Sequence, residues 1–327
     1  MLKQHGNRIH DVREYDDEML HRAAFEDNAN IIGFLLDSVR AGNHTDTVKK
    51  LLLKRDEEGL TAWHTAVFCD SVQVLEKIWE WAEKELTAEE LKNELLLARV
   101  EMNDIIHSIQ ERWDERDPLH LWRFEGIDLG LQSQNKIVVA TVWHVAANVS
   151  NLKVIKKIWE WTKEKLTKDE VKEKVLFDTD TEGRNIWHLA SEAGNLEKLR
   201  NIWEWAKENL TREEINYKLL LSTNNEGKTA WHWAARRGTF ERLQKLWEWA
   251  NENLTREEIS NNLLLSTDNK GMTAWHWAVR ESNLYVLQKL WEWANETLTR
   301  EEINNKLLLS TNNEGMTAWH WAARGGY

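Results

Sequence analysis

Residues 183–227 read GRNIWHLASEAGNLEKLRNIWEWAKENLTREEINYKLLLSTNNEG, and this stretch decides the fold. Asn185 stands before a short apolar run, IWHLASEA, which Gly194 closes; that predicts a two-turn helix with a glycine stop. NLEKLRNIWEWAKENL then sets Leu196, Leu199, Ile202, Trp203, Ala206 and Leu210 on one face at helical spacing, a second and longer helix. In LTREEINYKLLL, Thr211 is followed three residues later by Glu214. Each of those side chains can accept the other's backbone N–H, and this reciprocal cap predicts a third helix. STNNEG supplies a polar turn into the next unit.

The unit repeats. Trp-His recurs at Trp63-His64, Trp143-His144, Trp187-His188, Trp231-His232, Trp275-His276 and Trp319-His320, with later steps of 44 residues and a first step of 80. Placing His107 in the frame divides the long step into 43 and 37, and His21 adds a unit 43 residues before His64. A residue able to open a helix stands three positions before each histidine: Glu18, Thr61, Asp104, Thr141, Asn185, Thr229, Thr273 and Thr317. Fifteen residues after most of the histidines comes a tryptophan: Trp79, Trp122, Trp159, Trp203, Trp247 and Trp291. The Thr–Glu cap recurs at Thr87/Glu90, Thr167/Glu170, Thr255/Glu258 and Thr299/Glu302. The expected fold class is therefore all-α. It is an elongated helical-repeat solenoid of about eight units, the last incomplete, over residues 15–327, with a lead-in over 1–14 and a degenerate repeat over 98–139. That worn repeat holds the single proline, Pro118, expected in the first turn of a helix capped by Asp117, and a hinge or epitope is expected there. Trp205 and its counterparts Trp81, Trp161, Trp249 and Trp293 lie about 120° off the apolar stripe at ~100° per residue. The third helix of the same unit, through Ile215 and Leu219, is expected to cover this second indole.

The run Gly227-Lys228-Thr229-Ala230-Trp231-His232-Trp233-Ala234-Ala235-Arg236-Arg237-Gly238 resembles the ankyrin-repeat signature G-x-T-P-L-H-x-A-A-x-x-G, and NLEKLRNIW is similar to the ankyrin second helix. The likeness covers nearly the whole chain and is specific over about twenty residues per unit. It departs in Ala and Trp for Pro and Leu, in a period of 44 rather than 33, and in the added capped helix. A three-helix, armadillo-like solenoid is the alternative architecture. The resemblance implies that each histidine and the preceding threonine hydrogen-bond within and between repeats. It also implies that partners meet the finger tips and the exposed end of the first helix. Carried onto the clearest units, those positions are Arg184, Glu192, Glu226, Lys228, Arg236, Arg237, Lys270, Met272, Arg280 and Glu281.

Composition narrows the function. A net charge of -12 argues against nucleic acid or an anionic membrane as the main partner. One cysteine, Cys69, excludes a disulfide framework and a multi-cysteine metal centre. No apolar run approaches the ~18 residues of a membrane span, and the N-terminal sequence has no apolar signal core, so a cytoplasmic location is expected. Neighbouring repeats stand roughly 8–10 Å apart, too far for the histidine ladder to converge on a metal at ~2.0–2.1 Å. Glu213-Glu214 and Glu257-Glu258 sit in helix first turns, where the macrodipole already favours anions. No catalytic, cofactor-binding or metal residues are assigned. The residue after each histidine drifts from polar to indole along the chain, ending in Trp233, Trp277 and Trp321; inter-repeat packing and an aromatic strip facing a ligand are the two readings. The expected role is a non-enzymatic scaffold that binds a partner protein through its concave face. The alternatives are a self-assembling array or a host-directed effector with an ankyrin-like module. At the C-terminal end Trp319 and Trp321 lack a second helix of their own, so head-to-tail association through that end is also expected, unless the chain continues.

Overall fold

The computed structural model describes residues 18–41, 45–101, 138–148, 152–192, 195–237 and 239–324. They are mostly helical, and they belong to two compact units, Met1–Val171 and Lys172–Tyr327. No helix among them is long and apolar enough to cross a membrane.

Each full repeat has three helical pieces. In the second unit the first helices are Ile186–Glu192, Ala230–Arg237, Ala274–Arg280 and Ala318–Arg324, and each of the last three packs on the one before it. The second helices Leu196–Asn209, Phe240–Asn253 and Leu284–Thr297 run back beside them. Each third helix opens with one capped α-turn, as at Arg212–Glu214, and continues as a π-helix, as at Ile215–Leu220. The Thr–Glu caps form as the sequence spacing predicts: Thr211 Oγ1 accepts from the Glu214 N–H at 3.3 Å, and Glu214 Oε2 accepts from the Thr211 N–H at 2.9 Å.

The π-helical continuation is not in the sequence reading, and burial explains it. Ile215, Leu219 and Leu220 are all buried, as are Leu91, Leu95 and Leu96, or Ile259, Leu263 and Leu264, in the corresponding helices. Hydrogen bonds that close over five residues bring positions i, i+4 and i+5 nearly into line, which an α-helix does not. The closing bond runs from the Leu221 N–H to the Asn216 carbonyl at 2.9 Å, and it recurs from Leu265 to Ser260 and from Leu309 to Asn304, each at 3.0 Å.

Among the described residues of the first unit, residues 18–25 are helical and are followed by Ala29–Ala41 and Thr45–Leu53. The next repeat comprises Ala62–Phe68, Val72–Glu85 and Ala88–Glu90 with its π-helical extension Leu91–Leu96. Two short strands follow, β1 (Arg99–Glu101) and β2 (Val139–Thr141), antiparallel with Val100 opposite Ala140. This ladder departs from the all-helical expectation; Val138, Val139 and Thr141 are β-branched, a composition that suits strands. Helices Val142–Asn148 and Leu152–Lys165 come next. The expected degenerate repeat lies outside the described residues apart from its two ends, which are these strands. The repeats on either side of it are adjacent layers: Ala62–Phe68 packs on Val142–Asn148, and the ring of Trp161 stacks on that of Trp79 at 4.6 Å.

Candidate partner-binding face

Four fingers project from the second unit, each a turn held by one side chain. Asp180 Oδ1 accepts the backbone N–H groups of Glu182 and Arg184 at 2.9 and 2.8 Å. Asn224, Asp268 and Asn312 do the same for the residues two and four positions on. Such side-chain-closed turns favour Asn and Asp. The glycine at each tip has positive φ, +73° at Gly227, and a Cβ there would come 2.5 Å from Asn269 Oδ1 of the next finger. The fingers also bond to one another. The Asn269 N–H donates to the Glu226 carbonyl at 2.8 Å, and Asn269 Nδ2 donates to the Asn225 carbonyl at 2.9 Å. Asn225 and Asn313 repeat the pattern.

Behind the fingers the histidines form the predicted ladder, with a definite protonation state. At His232, the Thr229 backbone N–H donates to Nδ1 at 3.2 Å, so Nδ1 carries no proton and the neutral ring holds it on Nε2. Nε2 then donates to the Ser266 carbonyl at 3.1 Å. His188 and His276 make the same bonds to Ser222 and Ser310. The threonine, or Asn185, and the histidine thus make a helix cap in which imidazole replaces glutamate. Burial pushes His188 and His232 down to about 4 from an ordinary 6.5. His64, whose buried Nε2 has no hydrogen-bond partner, is pushed by burial down to about 3. Among the described residues no group of three or more His, Cys, Asp or Glu side chains is placed to hold a metal ion.

Next to this ladder, indoles and cations alternate along the stack. Arg236 lies over the rings of Trp233 and Trp277 at 5.6 and 5.0 Å, Arg280 over Trp277 and Trp321 at 5.2 and 5.1 Å, and Arg324 over Trp321 at 5.8 Å. Lys228 is sandwiched from the finger side between Trp233 and Trp277 at 4.6 and 4.5 Å. Each such contact contributes ~0.5–1 kcal/mol when exposed and ~2 or more when desolvated. Trp277 donates its Nε1–H to Asp268 at 3.0 Å; at Trp233 the finger residue is Asn224, and Nε1 has no partner. Trp233 and Trp277 are buried, so the positions after the histidines pack repeat to repeat, with the guanidinium groups on their outer side.

The ten expected contact positions separate by burial. Glu226, Lys270, Arg280 and Glu281 are exposed, and Arg236 and Arg237 are half-buried. Arg184, Glu192, Lys228 and Met272 are buried. Arg184 is used by Asp180 at 2.8 Å, Glu192 by Arg237 at 3.4 Å, and Lys228 by Glu226 at 2.6 Å and its two indoles. Met272 sits against the next finger, where its sulfur takes Asn312 Nδ2 at 3.5 Å. The finger base curls beneath its neighbour, so variation there is met by the adjacent repeat. Arg236 pairs with Glu281 across repeats at 3.5 Å.

Two contacts escaped the sequence reading. The second indole of three W-E-W motifs stacks on an earlier repeat: Trp161 on Trp79 at 4.6 Å, Trp249 on Trp203 at 4.7 Å, and Trp293 on Trp247 at 4.7 Å. The first-helix indole closes a triad, with Trp187–Trp249 at 5.6 Å and Trp231–Trp293 at 5.7 Å. The finger-tip asparagines were also missed. Their recurrence 44 residues apart at 225, 269 and 313 was the available signal.

The chain matches no model of a known protein family, and no characterised protein is significantly similar to it.

Proposed function

We propose that the chain is a non-enzymatic, ankyrin-like solenoid that binds a partner protein on the face made by its fingers and first helices. The observation that carries this reading is the division of labour within each unit. Indoles, histidines and caps are held fixed from repeat to repeat, while the outward side chains on this face vary: Glu226 against Lys270 on successive fingers, and Arg237 against Glu281 at the end of the first helix. Arg280 is exposed yet held between two indoles, which reduces the side-chain entropy a partner must overcome. Repeat arrays of this kind offer long open surfaces rather than enclosed pockets.

The test is affinity capture from the source cells with the wild-type chain and with Lys270→Glu/Arg280→Glu. Both residues are exposed, and circular dichroism checks that the variant keeps its fold without the two indole contacts of Arg280, whereas Arg237→Glu would set a second carboxylate beside Glu192. Partners retained by the wild type and lost from the variant support this face. An identical set captured by both, with circular dichroism unchanged, refutes it.

A further inference from the structure

The ends of the first helices carry a ladder of ion pairs that closes twice and then leaves one cation over. Glu192 and Arg237 pair across repeats at 3.4 Å, and one step on Arg236 and Glu281 pair at 3.5 Å. Glu192, Arg236 and Arg280 hold one position of the 44-residue register, and Arg237 and Glu281 hold the next. At the third step the residue in register to answer Arg280 is Gly325, which offers no carboxylate. Arg280 is exposed and makes no ion pair among the described residues. Its guanidinium is fixed all the same. It lies over Trp277 and Trp321 at 5.2 and 5.1 Å, as that of Arg236 lies over Trp233 and Trp277 at 5.6 and 5.0 Å.

The finger of the same repeat changes in the same sense. On the preceding finger Glu226 answers Lys228 at 2.6 Å, whereas Lys270 and Met272 stand at those two positions here. Lys270 is exposed and, like Arg280, makes no ion pair among the described residues. Asp268 joins this finger to the ring that carries Arg280, because its Oδ2 accepts the Trp277 Nε1–H at 3.0 Å. It is buried, and its Oδ1 is taken by the Lys270 and Met272 N–H groups at 2.9 Å each. Glu314, on the following finger, makes no ion pair either.

We infer that Arg280, with Lys270 on the finger of its repeat, is a carboxylate-recognition site, and that the partner docks an acidic segment rich in Asp and Glu there. The inference rests on the protein-binding reading above and names the chemistry of that partner. Continuity with the ladder carries it: the two preceding steps each place a carboxylate against an arginine, and the third presents the arginine alone. A guanidinium fork matches a planar carboxylate through two parallel N–H···O bonds. Exposed ion pairs ordinarily contribute little because two long side chains must be ordered. Two indoles already order this one, which removes part of that cost. Nucleic acid fits less well, since its affinity comes from many cations acting together and the net charge of -12 opposes a polyanion.

The probe is fluorescein-labelled octaglutamate, read by anisotropy against the full chain at low salt. Saturable binding is expected, weakening as salt is raised. Arg280→Gln should weaken it about tenfold, in keeping with the loss of charge-assisted hydrogen bonds. Arg280→Lys, which keeps a cation over the indoles but not the fork, should weaken it about threefold. Arg200→Gln, which removes an exposed arginine from a second helix, should leave it within about twofold and so measures the effect of charge alone. Circular dichroism melts check that each variant is folded, and Arg280→Lys decides the matter if Arg280→Gln is not. Equal binding by wild type and the Arg280 variants refutes the site, as does octaglutamine binding as tightly as octaglutamate. Tighter binding of single-stranded octathymidylate would make nucleic acid the occupant. Self-association in sedimentation velocity that Arg280→Gln abolishes would make it a second copy of the chain; either result overturns the proposal. If cellular partners are still lost from Lys270→Glu/Arg280→Glu while octaglutamate fails to bind, the face stands and its acidic partner falls.

Discussion

Stability across a repeat boundary should depend on the stacked indoles, and a double-mutant cycle on Trp203 and Trp249 measures how much. Both rings are buried, and their centroids are 4.7 Å apart at an interplanar angle of 17°. Removing either indole leaves a cavity lined by the other and by Trp187, so Trp203→Ala and Trp249→Ala should each cost ~3–5 kcal/mol, the range for large-to-small aromatic changes in a core. The stack itself contributes ~0.5–1.5 kcal/mol, and it is lost once in either single variant. The double variant should therefore be less destabilised than the sum of the singles by about 1 kcal/mol. Urea unfolding followed by far-ultraviolet circular dichroism supplies the three free energies. The control pair is Trp203 and Trp293, two repeats apart and with no ring contact between them, whose effects should add within ~0.3–0.5 kcal/mol. A Trp203–Trp249 coupling no larger than the control's would refute the assignment of inter-repeat cohesion to the stack.

Acid should destabilise the chain before its carboxylates titrate. His188 and His232 fall from 6.5 to about 4 on folding, so between these values the unfolded chain binds a proton that the folded ring refuses, and stability rises with pH. Each contributes nothing above pH 6.5 and costs ~1.4 kcal/mol per pH unit below it, levelling off near pH 4. The depressed Glu258 and Glu302 lose their stabilisation only as pH falls below their ordinary 4.5, so urea midpoints between pH 6.5 and 4.5 report the histidines. His232→Gln should remove about one proton from that slope, and an unchanged slope refutes the mechanism. At the finger tips, Gly227→Ala should destabilise more than Gly315→Ala, both having φ +73°. The left-handed backbone costs ~1–2 kcal/mol at each, but only at 227 does the new Cβ meet Asn269, and equal losses in thermal melts would argue against the finger-to-finger packing.

Local chemistry made much of this molecule readable. Thr211 and Glu214 stand three apart, and that spacing alone specifies two hydrogen bonds, so the third helix was legible without its neighbours. The bonding of Thr229 to His232 was expected from the likeness to ankyrin repeats. The second indole was not. Helical periodicity showed Trp249 off the apolar stripe and needing cover, but the covering ring, Trp203, is 46 residues earlier, a separation no local rule connects. The burial of the finger residues was not legible for a similar reason. Lys228 and Arg280 each lie against two indoles, yet Lys228 is buried and Arg280 exposed.

By itself, then, the sequence determined the helices and their Thr–Glu caps, because each depends on groups within a few residues of one another, and the 44-residue period, because the motif recurs. The tertiary structure decided which repeats are neighbours across residues 102–137, which indole covers which, and which charges reach the surface. Those outcomes follow from burying the apolar face of one repeat against the next, and that choice is made over the whole stack, by area and shape, among residues far apart in the chain.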